Sequence, residues 1–300
     1  MKRKTKSIMI NYACSKILLS LFFCAIPLGQ ILAEDAEPKA YGRFVPERLD
    51  DFAWENDKVA FRAYGPAARE RREDSGFDCW LKRVDYPIID KWYKQSKAGK
   101  SYHKDHGEGY DPYHVGASRG CGGLALWIDG KMVTSDTFVG HRLLKAEGEE
   151  VVFVLSYEWV HGNDEYKEEK RISLKVGDQL FRTASTFWKN GELAAHMPLA
   201  LGISTHEGKA AVSKDVEKGW IAGWESIDGY GLGTGVKVEP ARIKSFELIE
   251  SKKKDRGHAL FTVKTNAQGK FVYYAGFAWE RAGELKSIQD WEQYLEEFGD

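Results

Sequence analysis

The segment "EVVFVLSYEWVHGNDEYKEEKRISLKVGDQLFRTASTFW" (150–188) decides the fold class. Apolar and polar residues alternate in the runs "EVVFVLSYEW", "RISLKV" and "LFRTASTFW". These runs are also rich in β-branched and aromatic side chains, which is typical of strands. Between two of them, "KVGDQLF" places Gly and Asp at a tight turn, which predicts a hairpin. The segment therefore predicts antiparallel strands that follow one another along the chain.

Similar strand-like runs cover most of the remaining sequence, and little of it has a helical period. A second hairpin is predicted at "WIDGKMV" (127–133), again with Asp-Gly at the tip. The glycine-rich "GYGLGTG" (229–235) lies between strand-like runs and predicts a turn rather than a phosphate-binding loop. We expect an all-β fold, a large antiparallel β-sandwich, with closure into a barrel as the alternative.

Two short helices interrupt this pattern. Around residues 88–95, apolar side chains share one helical face. Near the end of the chain, "SIQDWEQYLEEF" begins with Ser287 and Asp290, which fit a capping box and precede an apolar stripe. The sequence thus predicts a short C-terminal helix that covers an edge or end of a sheet.

The first residues predict export. "MKRKTKSIMINYACSKILLSLFFCAIPLGQILAED" has a basic start, an apolar run and Ala33 before two acids, which is the pattern of a signal peptide cut after Ala33. A membrane anchor is the alternative, but the run is short and interrupted. We expect residues 1–33 to be removed, leaving residues 34–300 as a single β-sandwich catalytic domain in the periplasm or outside the cell, without a membrane attachment.

The charge of the predicted mature chain limits its partners. Without the signal peptide, 39 basic side chains face 45 acidic ones. This balance argues against nonspecific nucleic-acid binding, which needs a basic face. It leaves anionic oligosaccharides possible, since they need only a local basic pocket. In an exported chain, Cys79 and Cys121 favour one disulfide over two buried thiols.

Titratable chemistry is concentrated in "SYHKDHGEGYDPYHVGASRGCGG" (101–123), which has three histidines, three acids and three tyrosines. The segment has no regular period and six glycines, which is typical of a functional loop on a rigid scaffold. We predict that it carries the catalytic residues, which are His103, His106, Tyr110, Tyr113 and Arg119.

Three chemistries fit this segment. His103, His106 and Glu108 could bind a divalent metal, although they lack the helical spacing of known motifs. Histidine and tyrosine could instead act as acid and base without a cofactor. Hydrolysis by Glu108 with Asp111 or Asp105 is the third possibility. The cofactor prediction is therefore none or a divalent metal.

Residues outside the segment are candidates for substrate binding. Trp54 and Trp279 each stand beside charged residues at the end of a strand-like run, where they could form the aromatic wall of a polar cleft; ordinary strand ends are the alternative. His196 precedes an apolar run and could point into a cleft, with a satisfied core histidine as the alternative. The predicted substrate-binding set is Trp54, Glu55, Arg62, His114, His196, Trp279 and Arg281.

Four segments together resemble a family of secreted bacterial proteins catalogued as the domain of unknown function DUF4861. The resemblance covers roughly residues 42–298. The segments are "RFVPERLDDFAWENDKVAFRAYGP" (43–66), "SGFDCWLKRVDYPIIDKWY" (75–93), "SYHKDHGEGYDPYHVGASRGCGGLALWIDGK" (101–131) and "YYAGFAWERAG" (273–283).

The resemblance implies a function in polysaccharide utilisation. Such proteins are similar to an oligosaccharide dehydratase of ulvan breakdown, which removes water from a terminal glucuronic or iduronic acid and leaves a 4,5-unsaturated sugar. The expected fold is then a sandwich of the galactose-mutarotase-like super-sandwich type, and the expected partner is an anionic oligosaccharide.

Elimination from a uronic acid needs a base for the C5 proton, an acid for the C4 oxygen and a cation on the carboxylate. Our hypothesis assigns His103 or His106 as the base, Tyr110 or Tyr113 as the acid, and Arg119 as the carboxylate clamp. Three alternatives remain open, namely a polysaccharide lyase using the same β-elimination, a glycoside hydrolase, and a non-catalytic carbohydrate-binding protein.

Overall fold

The structure is a computed structural model that describes residues 39–71 and 75–299. Antiparallel strand pairing organises these residues. The predicted signal peptide, residues 1–33, lies outside these ranges. Neither α-helix found in them is long and apolar enough to cross a membrane.

The first half of the fold contains nine strands and one helix. These are β1 (Ala40–Val45), β2 (Asp51–Glu55), β3 (Ala60–Ala63), β4 (Phe77–Lys82), α1 (Ile89–Lys97), β5 (Gly109–Tyr110), β6 (Cys121–Ile128), β7 (Lys131–Val133), β8 (Gly140–Lys145) and β9 (Glu147–Gly148).

The second half contains eleven strands and the C-terminal helix. These are β10 (Glu150–His161), β11 (Asp164–Lys175), β12 (Leu180–Lys189), β13 (Glu192–Leu193), β14 (Pro198–Ser204), β15 (Ala211–Asp215), β16 (Trp220–Ile227), β17 (Tyr230–Lys237), β18 (Ser245–Ile249), β19 (His258–Lys264), β20 (Lys270–Trp279) and α2 (Ile288–Glu297).

The strands form two layers. One layer is a nine-stranded sheet with the order β15-β16-β17-β20-β12-β11-β10-β8, in which β13 pairs with β12. The other layer holds a six-stranded sheet, β5-β4-β3-β2-β1-β9, and a five-stranded sheet, β18-β19-β14-β6-β7. A backbone bridge between Phe77 and Gly120 joins these two sheets side by side. The predicted all-β antiparallel sandwich with a C-terminal helix is confirmed.

Aromatic side chains fill the space between the layers. Trp54 and Phe61 of the six-stranded sheet stack at 5.4 Å between ring centroids, and both meet the ring of Phe181 on β12 edge-on. Phe77 adds a third ring against Phe181 at 5.2 Å. Such edge-to-face contacts add to the free energy gained by burying the rings, so this cluster fixes how the two layers face each other.

Each outer face of the sandwich carries one helix. α1 packs Trp92 and Tyr93 against Trp80 on the outer face of the six-stranded sheet. At the other face, the Ser287 side chain accepts a hydrogen bond from the Asp290 amide, as the capping box predicted. The C-terminal helix covers the face of the nine-stranded sheet, not its edge, because its apolar stripe packs on that sheet's outer surface.

Only the first residue of the glycine-rich "GYGLGTG", Gly229, lies in a turn, and the other six residues belong to the strand β17. A Cβ at Gly233 would come within 2.9 Å of both Trp224 and Trp291. The glycines therefore make room for two tryptophan rings between the sheet and α2, a packing role that turn chemistry alone does not reveal.

β11 begins earlier than the predicted "RISLKV", because the charged run "DEYKEEK" is also a strand. Its charges alternate between a solvent-facing side and the sandwich interior, where Glu168 and Lys170 are buried and pair at 3.0 Å. A buried charge is tolerated inside a fold when it is paired with an opposite charge. The run was not recognised as a strand because charged residues occupy its buried positions.

Cys79 on β4 and Cys121 on β6 are free, fully buried thiols. The favoured disulfide is absent, and the alternative of two buried thiols holds. The Cys121 thiol donates to the Gly276 carbonyl at 3.1 Å. Burial raises the pKa of the Cys79 thiol, and a hydrogen bond with Cys121 adds to the effect.

Candidate functional site

Two arginines converge on one carboxylate of the predicted functional loop. Arg83, directly after β4, donates to both oxygens of Asp105, at 2.7 and 3.0 Å. Arg281, after β20, donates to the same carboxylate at 2.8 Å. The three side chains are between 20% and 30% exposed, so solvent and small ligands reach them.

The local electrostatics keep Asp105 ionised. Burial acts to raise the pKa of Asp105, but the hydrogen bonds from Arg83 and from the backbone N–H groups of Gly107 and Gly109 outweigh it. The pKa is lowered to about 2. The loop is thereby tied to the end of the sheet, and the two guanidinium groups are fixed beside one carboxylate.

Both arginines contact one indole ring. The guanidinium of Arg83 is 5.6 Å from the ring centre of Trp279, and that of Arg281 is 5.4 Å from it. Arg281 also stacks at 4.6 Å on Tyr230, at the start of β17. Since aromatic faces attract cations, these contacts hold Arg281 in one orientation.

Tyr110 pairs with a carboxylate from a distant part of the chain. Its hydroxyl donates to Asp228 at 2.7 Å. Asp228 and Gly229 both have positive φ and form the two-residue turn between β16 and β17, which carries the carboxylate outward to the loop. Tyr110 lies on β5, which pairs with β4 just before Arg83.

The electrostatic field links Tyr110 to Arg281 and Asp105. Burial raises the pKa of Tyr110, and the hydrogen bond to Asp228 raises it further; the charge of Arg281 opposes the shift and that of Asp105 adds to it. The phenol therefore keeps its proton at neutral pH and lies within electrostatic reach of both neighbours. We call the set the arginine–tyrosine site; its members are Arg83, Asp105, Tyr110, Asp228, Trp279 and Arg281.

A cleft of about 410 Å³ adjoins this site, with Arg83 in its wall. Its lining also includes Lys58 and Lys82, while Asp85 and Glu284 supply acidic groups. With Asp57, the lining holds three acidic and three basic side chains, and Lys58 pairs with Glu284. The cleft is therefore polar and charge-balanced, and it shares Arg83 with the arginine–tyrosine site.

Three of the predicted residues belong to the arginine–tyrosine site, namely Tyr110, Trp279 and Arg281. Tyr110 is 7% exposed and Trp279 only 2% exposed. Trp279 therefore does not form the predicted aromatic wall of a cleft, and its ring contacts the two arginines instead. Sequence reasoning missed Arg83 and Asp228. The available signals were weak: Arg83 directly follows a strand, and Asp228 stands before Gly229 in "IDGY", a hairpin turn whose Asp was not expected to be functional.

Two other predicted residues lie in the core of the protein. Arg119 is fully buried and donates to the Ser75 hydroxyl and the Leu124 carbonyl, both at 3.0 Å. Trp54 is fully buried among the core aromatics. In this structure neither side chain presents a surface to a ligand, so the clamp role of Arg119 and the aromatic-wall role of Trp54 are not supported.

Glu55 has a structural environment. Its carboxylate is fully buried and accepts from Lys82 at 3.0 Å and from the amides of Ile88 and Ile89 at 2.9 Å. It thus satisfies N–H groups at the start of α1, which would otherwise lack partners.

Arg62 is at the centre of a buried ion cluster. It contacts Asp78 at 2.5 Å and Asp111 at 3.1 Å. Burial raises the pKa of Asp111, and the nearby charge of Asp78 raises it further. His103, at the outer rim of this cluster, contacts the Asp111 carbonyl at 2.9 Å.

The predicted metal ligands are not brought together. Glu108 accepts from Tyr86, Lys91 and, at 3.1 Å, Trp92. His106 contacts the Ser101 carbonyl at 3.0 Å. Within residues 39–71 and 75–299, no group of three or more His, Cys, Asp and Glu side chains is arranged to hold a metal ion.

Tyr113 and His114 contact a separate cluster centred on His206. His206 contacts Glu225 at 2.6 Å through Nδ1 and the His114 carbonyl at 2.7 Å through Nε2. Burial acts to lower the pKa of His206, but Glu225 outweighs it and the pKa is raised. The ring of the buried Tyr113 lies edge-on to His206, with 4.7 Å between centroids.

His114 and His196 are exposed. The His114 ring contacts Asp255 at 2.8 Å. His196 has a positive φ of 57° and lines a groove of about 850 Å³ formed with His161, Tyr166 and neighbouring residues. The groove is built from the β10–β11 and β12–β13 hairpins, and none of its lining residues belongs to the loop 101–123.

Comparisons with known proteins identify relatives of the chain. The family model described as "Domain of unknown function (DUF4861)" matches residues 28–300. "Uncharacterized protein P7" of Formosa agariphila is 38% identical over 278 residues, which is 89% of this chain and 68% of that protein.

Two solved structures show a distant likeness to the chain. One is assigned as a kojibiose phosphorylase from the human microbiome, with 10% identity, a TM-score of 0.36 and 84% of this chain covered. The other is the GH36 α-galactosidase AgaA of Geobacillus stearothermophilus in complex with raffinose, with 12% identity, a TM-score of 0.27 and 76% coverage. The chain spans only 36% and 37% of their lengths. These likenesses are too distant to carry an inference about activity.

Proposed function

The chain belongs to the DUF4861 family, and from this premise we propose that it is an oligosaccharide dehydratase. It eliminates water across C4–C5 of a uronic acid at the non-reducing end of an anionic oligosaccharide and leaves a 4,5-unsaturated sugar. The observation that carries the proposal is the convergence of Arg83 and Arg281 on one carboxylate beside the Tyr110–Asp228 pair.

The arginine pair is the proposed cation of the reaction. The C5 proton of a uronic acid is weakly acidic because it lies next to the carboxylate, and removing it places negative charge on that group. Arg83 and Arg281 already bind the Asp105 carboxylate, so their geometry suits such a group. Fixed guanidinium groups stabilise the developing charge more than they stabilise the substrate, and thereby lower the barrier.

Tyr110 is the proposed acid. Its raised pKa keeps the phenol protonated, as the donor to a departing C4 oxygen must be. Asp228 is the proposed base, because its exposed carboxylate is 2.7 Å from the phenol oxygen and can face the same sugar ring. His103 and His106, the bases that the sequence favoured, contact carbonyls of Asp111 and Ser101 instead.

The proton balance of this cycle closes within the Tyr110–Asp228 pair. Asp228 takes the C5 proton, the C–H electron pair forms the C4=C5 bond, and the C4–O bond breaks. The departing oxygen takes the Tyr110 proton and leaves as water. Asp228 then returns its proton to the Tyr110 phenolate through their 2.7 Å hydrogen bond, which restores both groups.

A polysaccharide lyase is the second candidate, since the same groups would release a sugar instead of water. The glycoside hydrolase alternative is weaker, because Glu108 is bound by Tyr86, Lys91 and Trp92, and Asp111 lies buried against Arg62. Export to the periplasm or medium, proposed from the N-terminal sequence, would put the enzyme where polysaccharide fragments arise.

The test is incubation with saturated oligosaccharides that end in a uronic acid, followed by ultraviolet absorbance and product mass. Loss of one water with a new chromophore is the expected result. A chromophore with chain cleavage would support the lyase, and cleavage without a chromophore would support a hydrolase. No change on any of a broad set of uronic-acid substrates would overturn the elimination proposal.

A further inference from the structure

We infer that the elimination is syn, so that the enzyme acts on uronic acids whose C5 hydrogen and C4 oxygen lie on the same face of the ring. This inference rests on the proposed function and narrows its substrate class: of the glucuronic and iduronic acids that the resemblance implied, it retains only glucuronic acid. It comes from the distance between the proposed acid and base, which the sequence did not predict.

The acid and the base share one hydrogen bond. The hydroxyl of Tyr110 and the carboxylate of Asp228 are 2.7 Å apart. A group that transfers a proton must come within about 3 Å of the atom it serves. Two groups that are hydrogen-bonded to each other therefore reach C5 and C4 from the same side of a sugar ring.

An anti elimination would need a different arrangement. Its base and acid stand on opposite faces of the ring, each about 3 Å from its target, so the sugar separates them by roughly 6 Å or more. Tyr110 and Asp228 are less than half that distance apart. In glycoside hydrolases, the separation of two carboxyl groups limits the stereochemical outcome by the same argument.

The surroundings oppose a rearrangement that would place a ring between the two groups. Tyr110 lies on β5, which is paired with β4. Asp228 lies in the two-residue turn between β16 and β17, whose pairing extends to Ile227 and Tyr230 on either side. The backbone that carries each of the two groups is thereby held by strand pairing.

The configuration of the sugar decides which substrates fit. In glucuronate the C5 hydrogen and the C4 oxygen are on the same face of the ring. Iduronate, its C5 epimer, and galacturonate, its C4 epimer, have them on opposite faces. All three present a carboxylate at C5, so the arginine pair alone does not distinguish them.

The experiment compares three oligosaccharides that differ only in the terminal uronate, which is glucuronate, iduronate or galacturonate. We expect kcat/KM for the glucuronate substrate to exceed that of each epimer by at least about 100-fold, the usual contribution of a positioned acid or base. We also expect each epimer to inhibit competitively, with an inhibition constant within about tenfold of the KM for glucuronate, because the carboxylate clamp serves all three.

The possible results distinguish the syn inference from the proposed function. Turnover of the iduronate or galacturonate substrate at a rate similar to glucuronate, or in preference to it, would overturn the syn inference and leave the proposed dehydratase intact. Turnover of none of the three would overturn the proposed function itself. If the epimers neither react nor inhibit, the selectivity would arise from substrate binding and not from the positions of the acid and the base. This result would also contradict the inference.

Discussion

The hydroxyl of Tyr110 donates a 2.7 Å hydrogen bond to the carboxylate of Asp228, which lies 118 residues further along the chain. One group comes from the loop rich in histidine and tyrosine, and the other from a hairpin turn of the nine-stranded sheet in the opposite layer. Their contact beside Arg83 and Arg281 brings the proposed acid, base and cation together at one end of the sandwich.

Replacement of Tyr110 by Phe should lower kcat by about 100-fold to 10,000-fold, because it removes the acid without removing the ring. The KM should change little, since the carboxylate clamp stays intact. Steady-state kinetics on a glucuronate-terminated oligosaccharide measures both.

The matched control is Tyr41→Phe. Tyr41 donates to Asp90 at 2.8 Å, so this variant removes a Tyr–Asp hydrogen bond of nearly the same length on another surface. It should keep full activity. An equal loss in both variants would trace the effect to stability rather than to proton transfer.

Replacement of Arg281 by Gln should reduce kcat/KM by about 100-fold to 1,000-fold, as expected for a group that stabilises developing charge. Lysine at this position should recover only part of the loss, because it lacks the planar donor pair and stacks less well on Trp279. Arg242→Gln, which removes an exposed pair with Glu239, is the control. Wild-type rates for Arg281→Gln would exclude the clamp.

Stability should fall as the pH drops below neutral because of His258. Burial, and then the charge of Arg119, lowers the pKa of His258 to about 4 from 6.5. Between these values the unfolded chain binds a proton that the folded chain does not, so stability is complete above pH 6.5 and decreases towards pH 4. The geometry agrees, since His258 Nε2 accepts from the Arg119 amide at 3.1 Å.

Replacement of His258 by Gln should reduce the change in the free energy of unfolding between pH 6.5 and pH 4 by roughly 3 kcal/mol. This follows from about 1.4 kcal/mol per pKa unit. Denaturant unfolding at several pH values in that window measures it. The exposed His161→Gln is the control, and identical slopes in wild type and His258→Gln would contradict the assignment.

Trp54→Ala should destabilise the fold by about 3–5 kcal/mol, because it leaves a cavity among the core rings. Below its unfolding temperature the variant should keep a KM close to wild type. A raised KM with unchanged stability would instead support the substrate-binding role that the sequence predicted for Trp54.

Cys79 and Cys121 should react with a thiol reagent only after unfolding, since both are fully buried and free. The intact mass of the native protein should match two reduced thiols at these positions. A native mass lower by two hydrogens would show a disulfide and contradict the free-thiol state.

The antiparallel strands were predictable because their apolar alternation is local. β11 was only partly predicted, since the pairing of Glu168 with Lys170 depends on a tertiary contact. The first part of strand β17 was taken for a turn because its glycines make room for two tryptophans from other elements. In both cases packing, rather than local propensity, determines the strand.

The site was predictable to the extent that one segment carried it. The loop supplied Tyr110 and Asp105, and the pattern around Trp279 indicated Arg281. Arg119 looked equally suitable in sequence, but burial removes it from solvent. Arg83 and Asp228 become candidates only when the fold places β4 and the β16–β17 turn beside the loop, which no local spacing reveals.

The most direct test of the proposed chemistry is the mass of the product formed from a glucuronate-terminated oligosaccharide that carries deuterium at C5. The elimination predicts that the product lacks the deuterium, has lost the C4 oxygen as water and absorbs in the ultraviolet. A product that retains deuterium at C5, or release of the terminal sugar without a double bond, would contradict it.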